Sequence, residues 1–232
     1  MTNREKKFTL LLVLTVIVAA VYYLFGVKDG INLLVALGTV GMTLIIVYIE
    51  VIKSWIQKPE IKIEFANEPP YCHPDKGKKG SKIYWCHFAI FNNGRSQADD
   101  CEAVLERVWD WNNKKENSEQ KERKFIPSNL KWSAEDRHED FERACFKTIY
   151  PGGRRYFCDI ARVEEKGNKF NFELARPLKS QNNSLLRGKH KIQISIYSKN
   201  GVKVTKKFVI DWCGEWKETS PEMQECLKIK ML

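Results

Sequence analysis

Two apolar runs, separated only by the short break Gly26-Val27-Lys28-Asp29-Gly30, restrict what this chain can fold into more than any other feature. The first, FTLLLVLTVIVAAVYYLF at 8–25, is 18 residues without a charge, about 27 Å at helical rise. The second, INLLVALGTVGMTLIIVYIEVI at 31–52, is 22 residues or about 33 Å, with Glu50 its single charge. Each is long enough to cross a hydrocarbon core, where a helix satisfies its own backbone. A secretory signal would have a shorter apolar core followed by small residues, whereas Tyr22, Tyr23 and Phe25 close this one and a second run follows at once. No polar face interrupts either run, as a soluble core helix requires. The pattern predicts a transmembrane helical hairpin over 1–58, with helices at about 8–25 and 31–52.

Basic residues set its orientation. Arg4, Lys6 and Lys7 precede the first run and Lys53, Lys58 and Lys62 follow the second, while Lys28 stands beside Asp29 in the connection. The positive-inside rule predicts an integral membrane protein with both termini cytoplasmic. The whole chain carries 39 Lys/Arg against 29 Asp/Glu, and residues 1–52 hold only four and three of these. The excess therefore belongs to the remainder, where it favours anionic lipid or a nucleotide as ligand over sequence-specific nucleic-acid binding. A cytosolic domain also predicts free thiols for the seven cysteines, and stability indifferent to reductant.

From Pro59 the hydrophobic period changes to alternation. Strands are predicted at 61–66, at 83–91 (IYWCHFAIF, apolar on both faces and so central), at 98–111, and at two places about Pro151-Gly152-Gly153. FNFELARP at 170–177 adds another, and 68–81, with three prolines and three lysines, reads as a solvated loop. Asn92-Asn93-Gly94 is a turn in which glycine supplies positive φ. Residues 112–123 read as a mobile polar insertion, 125–132 as a cover over the sheet ends and 134–144 as a helical turn or two. The last hairpin, 190–198 and 202–212 about Lys199-Asn200-Gly201, is the clearest. A three-residue loop pairs Ser198 with Val202, Ile196 with Val204 and Ile192 with Phe208, and leaves Lys206 opposite Ile194 to snorkel at an edge. Residues 214–232 read as a polar tail with a short helix at 222–228.

The stretch YWCHFAIFNNGRSQADDCEAVL resembles the strand–Asn-Gly–strand signature of immunoglobulin-like modules in bacterial and archaeal surface and membrane proteins, through Asn93, Gly94, Ser96 and Ala98. IYPGGRRYFCDIARV is similar to the hairpin that follows in such modules. The resemblance implies an immunoglobulin-like β-sandwich over 59–213 and brings no active site with it.

Chemistry-bearing motifs are sparse. P-loop, G-x-G-x-x-G, G-x-S-x-G and H-E-x-x-H patterns do not occur in the sequence. Cys72-His73 and Cys86-His87 hold zinc-type ligands, but adjacent strand residues point to opposite faces, so neither a metal nor a cofactor is expected. The carboxylates at Asp99-Asp100 and at 135–140 read as solvated, as do Arg154 and Arg155. Trp109, Trp111, Trp132 and Trp212 read as packing residues. The candidate ligand-binding residues are Lys189, Lys191, Lys203 and Lys207, which the hairpin register places on one outer face. The sequence thus predicts a membrane-anchored, mainly-β, non-enzymatic binding or scaffolding module. Its partners are the lipid bilayer and, through Ala36, Gly38 and Gly41, further copies of the hairpin. The alternative is a ligand-gated effector or sensor, similar in layout alone to membrane-anchored β-barrel effectors of bacterial cyclic-nucleotide antiphage systems.

Overall fold

The computed structural model describes residues 20, 23, 31–33, 35–52, 58–77, 80–111, 120–133, 145–167 and 169–232. It divides into two compact units, 1–57 and 58–232. In the first, helix α1 (Ile31–Glu50) is the one helix among the described residues long and apolar enough to span a membrane, and its last turn widens to π geometry at Tyr48–Ile52. Its apolar side chains, among them Val35, Met42 and Leu44, are exposed. The expected hairpin therefore reduces to one candidate span. Of the first run only Ala20 and Tyr23 are described, both helical, and the rest lies outside the described residues.

The second unit is two antiparallel sheets enclosing a single apolar core. The first sheet has the order β1 (Ile61–Glu64), β3 (Lys82–Asn92), β8 (Tyr156–Glu164), β9 (Phe170–Phe172), β10 (Ser184–Leu185), with β2 (Cys72–Lys76) also paired to β3. The second has the order β13 (Leu227–Met231), β12 (Lys203–Trp212), β11 (Gly188–Tyr197), β4 (Ala98–Trp111), β5 (Gln120–Glu122), with β6 (Ser128–Asn129) and β7 (Phe146–Ile149) also on β4. Alternation explains the core. Tyr84, Cys86, Phe88 and Ile90 of β3 and Ile192, Ile194 and Ile196 of β11 are all buried. Phe88 meets Phe208 of β12 at 6.1 Å between ring centres, which joins the two layers. The expected central strand is indeed central, with β1 and β2 on one side and β8 on the other.

Several expectations are corrected. The loop at 68–81 contains β2, and its Tyr71 and Cys72 are buried, because Cys72 pairs directly with Cys86. Arg123, expected in a mobile insertion, is tied to Asp110, while 112–119 lie outside the described residues, as do 134–144. Residues 128–132 do more than cover the ends. Ser128 and Asn129 pair with β4, while Leu130 and Trp132 bridge to Leu174 and Cys158 of the other sheet. The strands flanking Pro151-Gly152-Gly153 form no hairpin, since β7 pairs with β4 and β8 with β3, so this turn carries the chain from one sheet to the other.

Gly94 does not take positive φ. Its glycine requirement is space, since a Cβ would lie 2.3 Å from the Lys58 carbonyl oxygen and 2.4 Å from the Glu60 nitrogen. The polar tail is part of the sandwich. Helix α2 (Ser220–Cys226), capped by Thr219 and Glu222 in a reciprocal capping box, leads into β13, where Leu227 and Ile229 enter the core. Cys213 and Cys226 are joined as a disulfide, Cα atoms 5.0 Å apart, contrary to the expectation of free thiols throughout. Cys72, Cys86, Cys101, Cys145 and Cys158 are free and buried.

Candidate functional site

The β11–β12 hairpin has the predicted register. Ser198 N–H donates to Val202 O at 3.0 Å, Ile196 faces Val204, Ile192 faces Phe208, and Gly201 takes φ +84°. Lys206 sits opposite Ile194, half-buried, beyond the Phe208–Trp212 stretch of β12 that pairs with β13. Lys189, Lys191, Lys203 and Lys207 accordingly share the outer face of the second sheet.

Sequence reasoning missed what lies beneath them. Glu106 is an extra residue in β4, because Leu105 pairs with Ile194 and Arg107 with Gln193. This bulge reverses the phase of the strand's end. Val108 instead of Trp109 enters the core, and Trp109 and Trp111 turn to the outer face. There Lys189 Nζ lies 4.5 Å from the Trp111 ring centre and Lys191 Nζ 4.6 Å from that of Trp109, cation–π distances in both cases. Lys228 and Lys230 of β13, opposite Asp211 and Val209, extend the same face and are exposed, as is Lys207. Trp132 and Trp212 are core residues as expected.

Lys203 is different. Its Nζ is 4.8 Å from the Tyr197 ring centre and 3.8 Å from Glu106 Oε1. Burial pushes the Glu106 carboxyl up, but hydrogen bonds from Tyr197, Gln193 and Ser195 and the charge of Lys203 outweigh it and hold the group below its ordinary range. The bulged carboxylate thus neutralises one of the four candidate lysines, while Lys189, Lys191 and Lys207 have no carboxylate in ion-pair contact among the described residues and Lys191 Nζ donates to Gln120 Oε1. Ser195, at the same register phase as these lysines, is buried and shares a 2.7 Å hydrogen bond with Thr205.

At the end of this sheet His190 Nδ1 lies 2.8 Å from Asp110 Oδ1, and Arg123 Nη2 donates to the same oxygen at 2.7 Å. Arg123 Nη1 also donates to the Ser184 carbonyl, tying the two sheets together. Burial raises the Asp110 carboxyl, but Arg123 and His190 more than offset it, and the net shift is downward. Every polar group here is engaged within the protein, so the cluster is structural.

A second polar cluster lies on the outer face of the first sheet. Ile160 is an extra residue in β8, since Cys86 pairs with Ala161 and His87 with Asp159. The bulge sets the Asp159 carboxylate against His87 Nδ1 at 2.7 Å, and both side chains are nearly inaccessible. Ser133 Oγ donates to Asp159 and lies 3.2 Å from the same Nδ1. His73 stacks on His87 with ring centres 5.1 Å apart, and Trp85 lies on His87 at 5.8 Å. Pro70, His73, His87, Ser133 and Phe157 line an open cavity of about 290 Å³.

Serine, histidine and aspartate are together here, yet not in a nucleophilic relay. That relay needs the hydroxyl on Nε2 and the carboxylate on Nδ1, whereas here both converge on Nδ1. Four buried thiols are disfavoured as thiolates. Burial, with nearby carboxylates, pushes the Cys101 thiol up to about 12 and that of Cys145 to about 11, and Cys86 and Cys158 are raised well above their ordinary value.

No protein-family model matches the sequence, and a search of curated proteins finds no match. Among solved structures, the X-ray structure of a Northeast Structural Genomics Consortium target, SoR45, aligns over 70% of this chain and 91% of its own, at 13% identity and a TM-score of 0.24. So loose a superposition carries no argument about fold or ligand.

Proposed function

We propose that this chain is a membrane-tethered, non-catalytic binding module. In this reading an immunoglobulin-like β-sandwich, held by an N-terminal apolar helix, engages anionic lipid headgroups through its lysine–tryptophan face. One observation carries it: Lys189 and Lys191 rest on Trp111 and Trp109, with Lys207, Lys228 and Lys230 exposed on the same sheet face. Ammonium groups over indole rings on one sheet face suit a phosphate-bearing bilayer interface, where each lysine contributes about 1 kcal/mol and tryptophan settles at headgroup depth. Residues 58–232 have their own core and suffice for the test. They should co-sediment with vesicles containing phosphatidylserine and not with neutral ones. Changing Lys191, Lys207 and Lys230 together to Glu weakens that binding at least about a hundredfold, with an unchanged melting temperature. Equal binding by variant and parent, or none by the parent, rejects the reading.

The same proposal places both termini in the cytosol, on the strength of the basic residues flanking the apolar runs. The Cys213–Cys226 disulfide favours the opposite side, since cytosolic thiols are kept reduced. A C-terminal alkaline phosphatase fusion discriminates. It should be inactive in cells, and an active fusion moves the β-domain to the outside.

A further inference from the structure

We propose that His190 is a proton-dependent clasp: as an imidazolium it fastens the crossover between the two sheets, and on losing a proton it releases that crossover. The ring belongs to β11, is buried, and shares its phase in the strand with the core residues Ile192 and Ile194. It stands where the chain leaves β10 in the first sheet, passes through Leu186 and Arg187, and enters β11 in the second.

Both ring nitrogens are engaged at once. Nδ1 lies 2.8 Å from Asp110 Oδ1 of β4, and Nε2 lies 2.9 Å from the backbone carbonyl oxygen of Leu186. A carbonyl oxygen only accepts, and so does an ionised carboxylate. Asp110 is ionised at neutral pH, because Arg123 and His190 outweigh the effect of burial and hold it below its ordinary range. A neutral imidazole has one N–H and one lone pair, so it satisfies one of the two oxygens and turns a lone pair toward the other. Only the imidazolium donates to both. The carboxylate is the stronger acceptor, so the bond lost on deprotonation is the one from Nε2 to Leu186.

That bond holds a short and exposed link. The Leu186 side chain is 56% exposed, and Arg187 is exposed beside it. Arg123 Nη1 donates to the Ser184 carbonyl at 2.8 Å, a tie that persists because a guanidinium keeps its protons. The crossover is thus secured once permanently and once by a proton. Among the described residues the charged groups facing the ring are Asp110 and Arg123. Ile210, its partner on β12, brings no charge, and Lys189 and Lys191 lie on the opposite sheet face with their ammonium groups over Trp111 and Trp109. Lys189 follows Gly188 directly, so a released crossover reaches that end of the lysine–tryptophan face first. The Nε2 bond is present on the acid side of the imidazole titration and lost as pH rises through it, so it adds stability in acid and none in base.

Nitrogen-15 spectra of residues 58–232, taken from about pH 5 to about pH 9, test the clasp without any substitution. Both His190 ring nitrogens should be protonated at the acid end and one bare at the basic end. The amide signals of Leu186, Arg187 and Gly188 should move with the same midpoint. His190→Gln gives a second reading by chemical denaturation. The parent's advantage, as the ratio of the two unfolding equilibrium constants, should be about tenfold larger at the acid end than at the basic end. A His190 ring that does not titrate in this window, a titration that leaves the 186–188 amides unmoved, or an advantage over folded His190→Gln that is independent of pH overturns the proposal.

Discussion

Asn92→Ala lowers the stability of the β-domain by about 3 kcal/mol, roughly 10 °C in Tm for a unit of this size. The side chain is fully buried at the end of β3 and uses its whole hydrogen-bonding capacity. Its Oδ1 accepts from Glu60 N at 3.0 Å and from Gly94 N at 2.9 Å, and its Nδ2 donates to Ser96 O at 2.7 Å and to Ile149 O at 3.1 Å. One amide thus holds the start of β1, the turn after β3, the approach to β4 and the end of β7. Alanine leaves two N–H groups and two carbonyls without these partners. Each bond contributes about 1 kcal/mol net, and more where the orphaned group stays dry. Asn92→Asp costs more still, because it turns a carboxylate oxygen toward two carbonyls in a buried site. Chemical denaturation of residues 58–232 measures both. A loss below about 1 kcal/mol for alanine shows that water replaces the amide and that the turn holds without it.

Breaking the Cys213–Cys226 disulfide has an effect of similar size. The bridge spans 13 positions in sequence and closes a loop containing α2. By chain entropy such a loop is worth about 3 kcal/mol, or roughly 6–12 °C in Tm for this domain. Reduction, or Cys213→Ser with Cys226→Ser, should therefore lower Tm by that amount and loosen β13 first, because β13 follows Cys226 directly and forms an edge of its sheet. Amide exchange at Ile229 reports that loosening. An unchanged Tm in reductant restores the expectation drawn from a cytosolic domain, in which the two cysteines contribute only packing.

Much of the second sheet was legible in the sequence. Alternation and one glycine turn sufficed to place β11 against β12 residue by residue, since a slip of one position would have exposed Ile192, Ile194 and Ile196. The bounds of β4 and the central place of β3 followed from the same period-two pattern. The candidate lysines followed from the hairpin, but their tryptophan footing did not. Glu106 looks like an ordinary member of an alternating strand until β11 is laid beside it, and only that pairing shows it to be an extra residue that turns Trp109 outward. Ile160 is the same case in β8 and decides where Asp159 points.

The sequence by itself determined two long apolar runs, a β-rich remainder, a basic excess and the register of one hairpin. Each is a property of neighbours in the chain, read through the 3.6 and 2.0 periods of helix and strand. The tertiary structure alone decided that His73 meets His87, that Cys213 meets Cys226, that residues 227–231 complete a sheet and that one asparagine pins four segments. These depend on which distant strands pair and where a bulge interrupts them. The free energy of that choice is spread over the whole core and leaves no local period for the sequence to display.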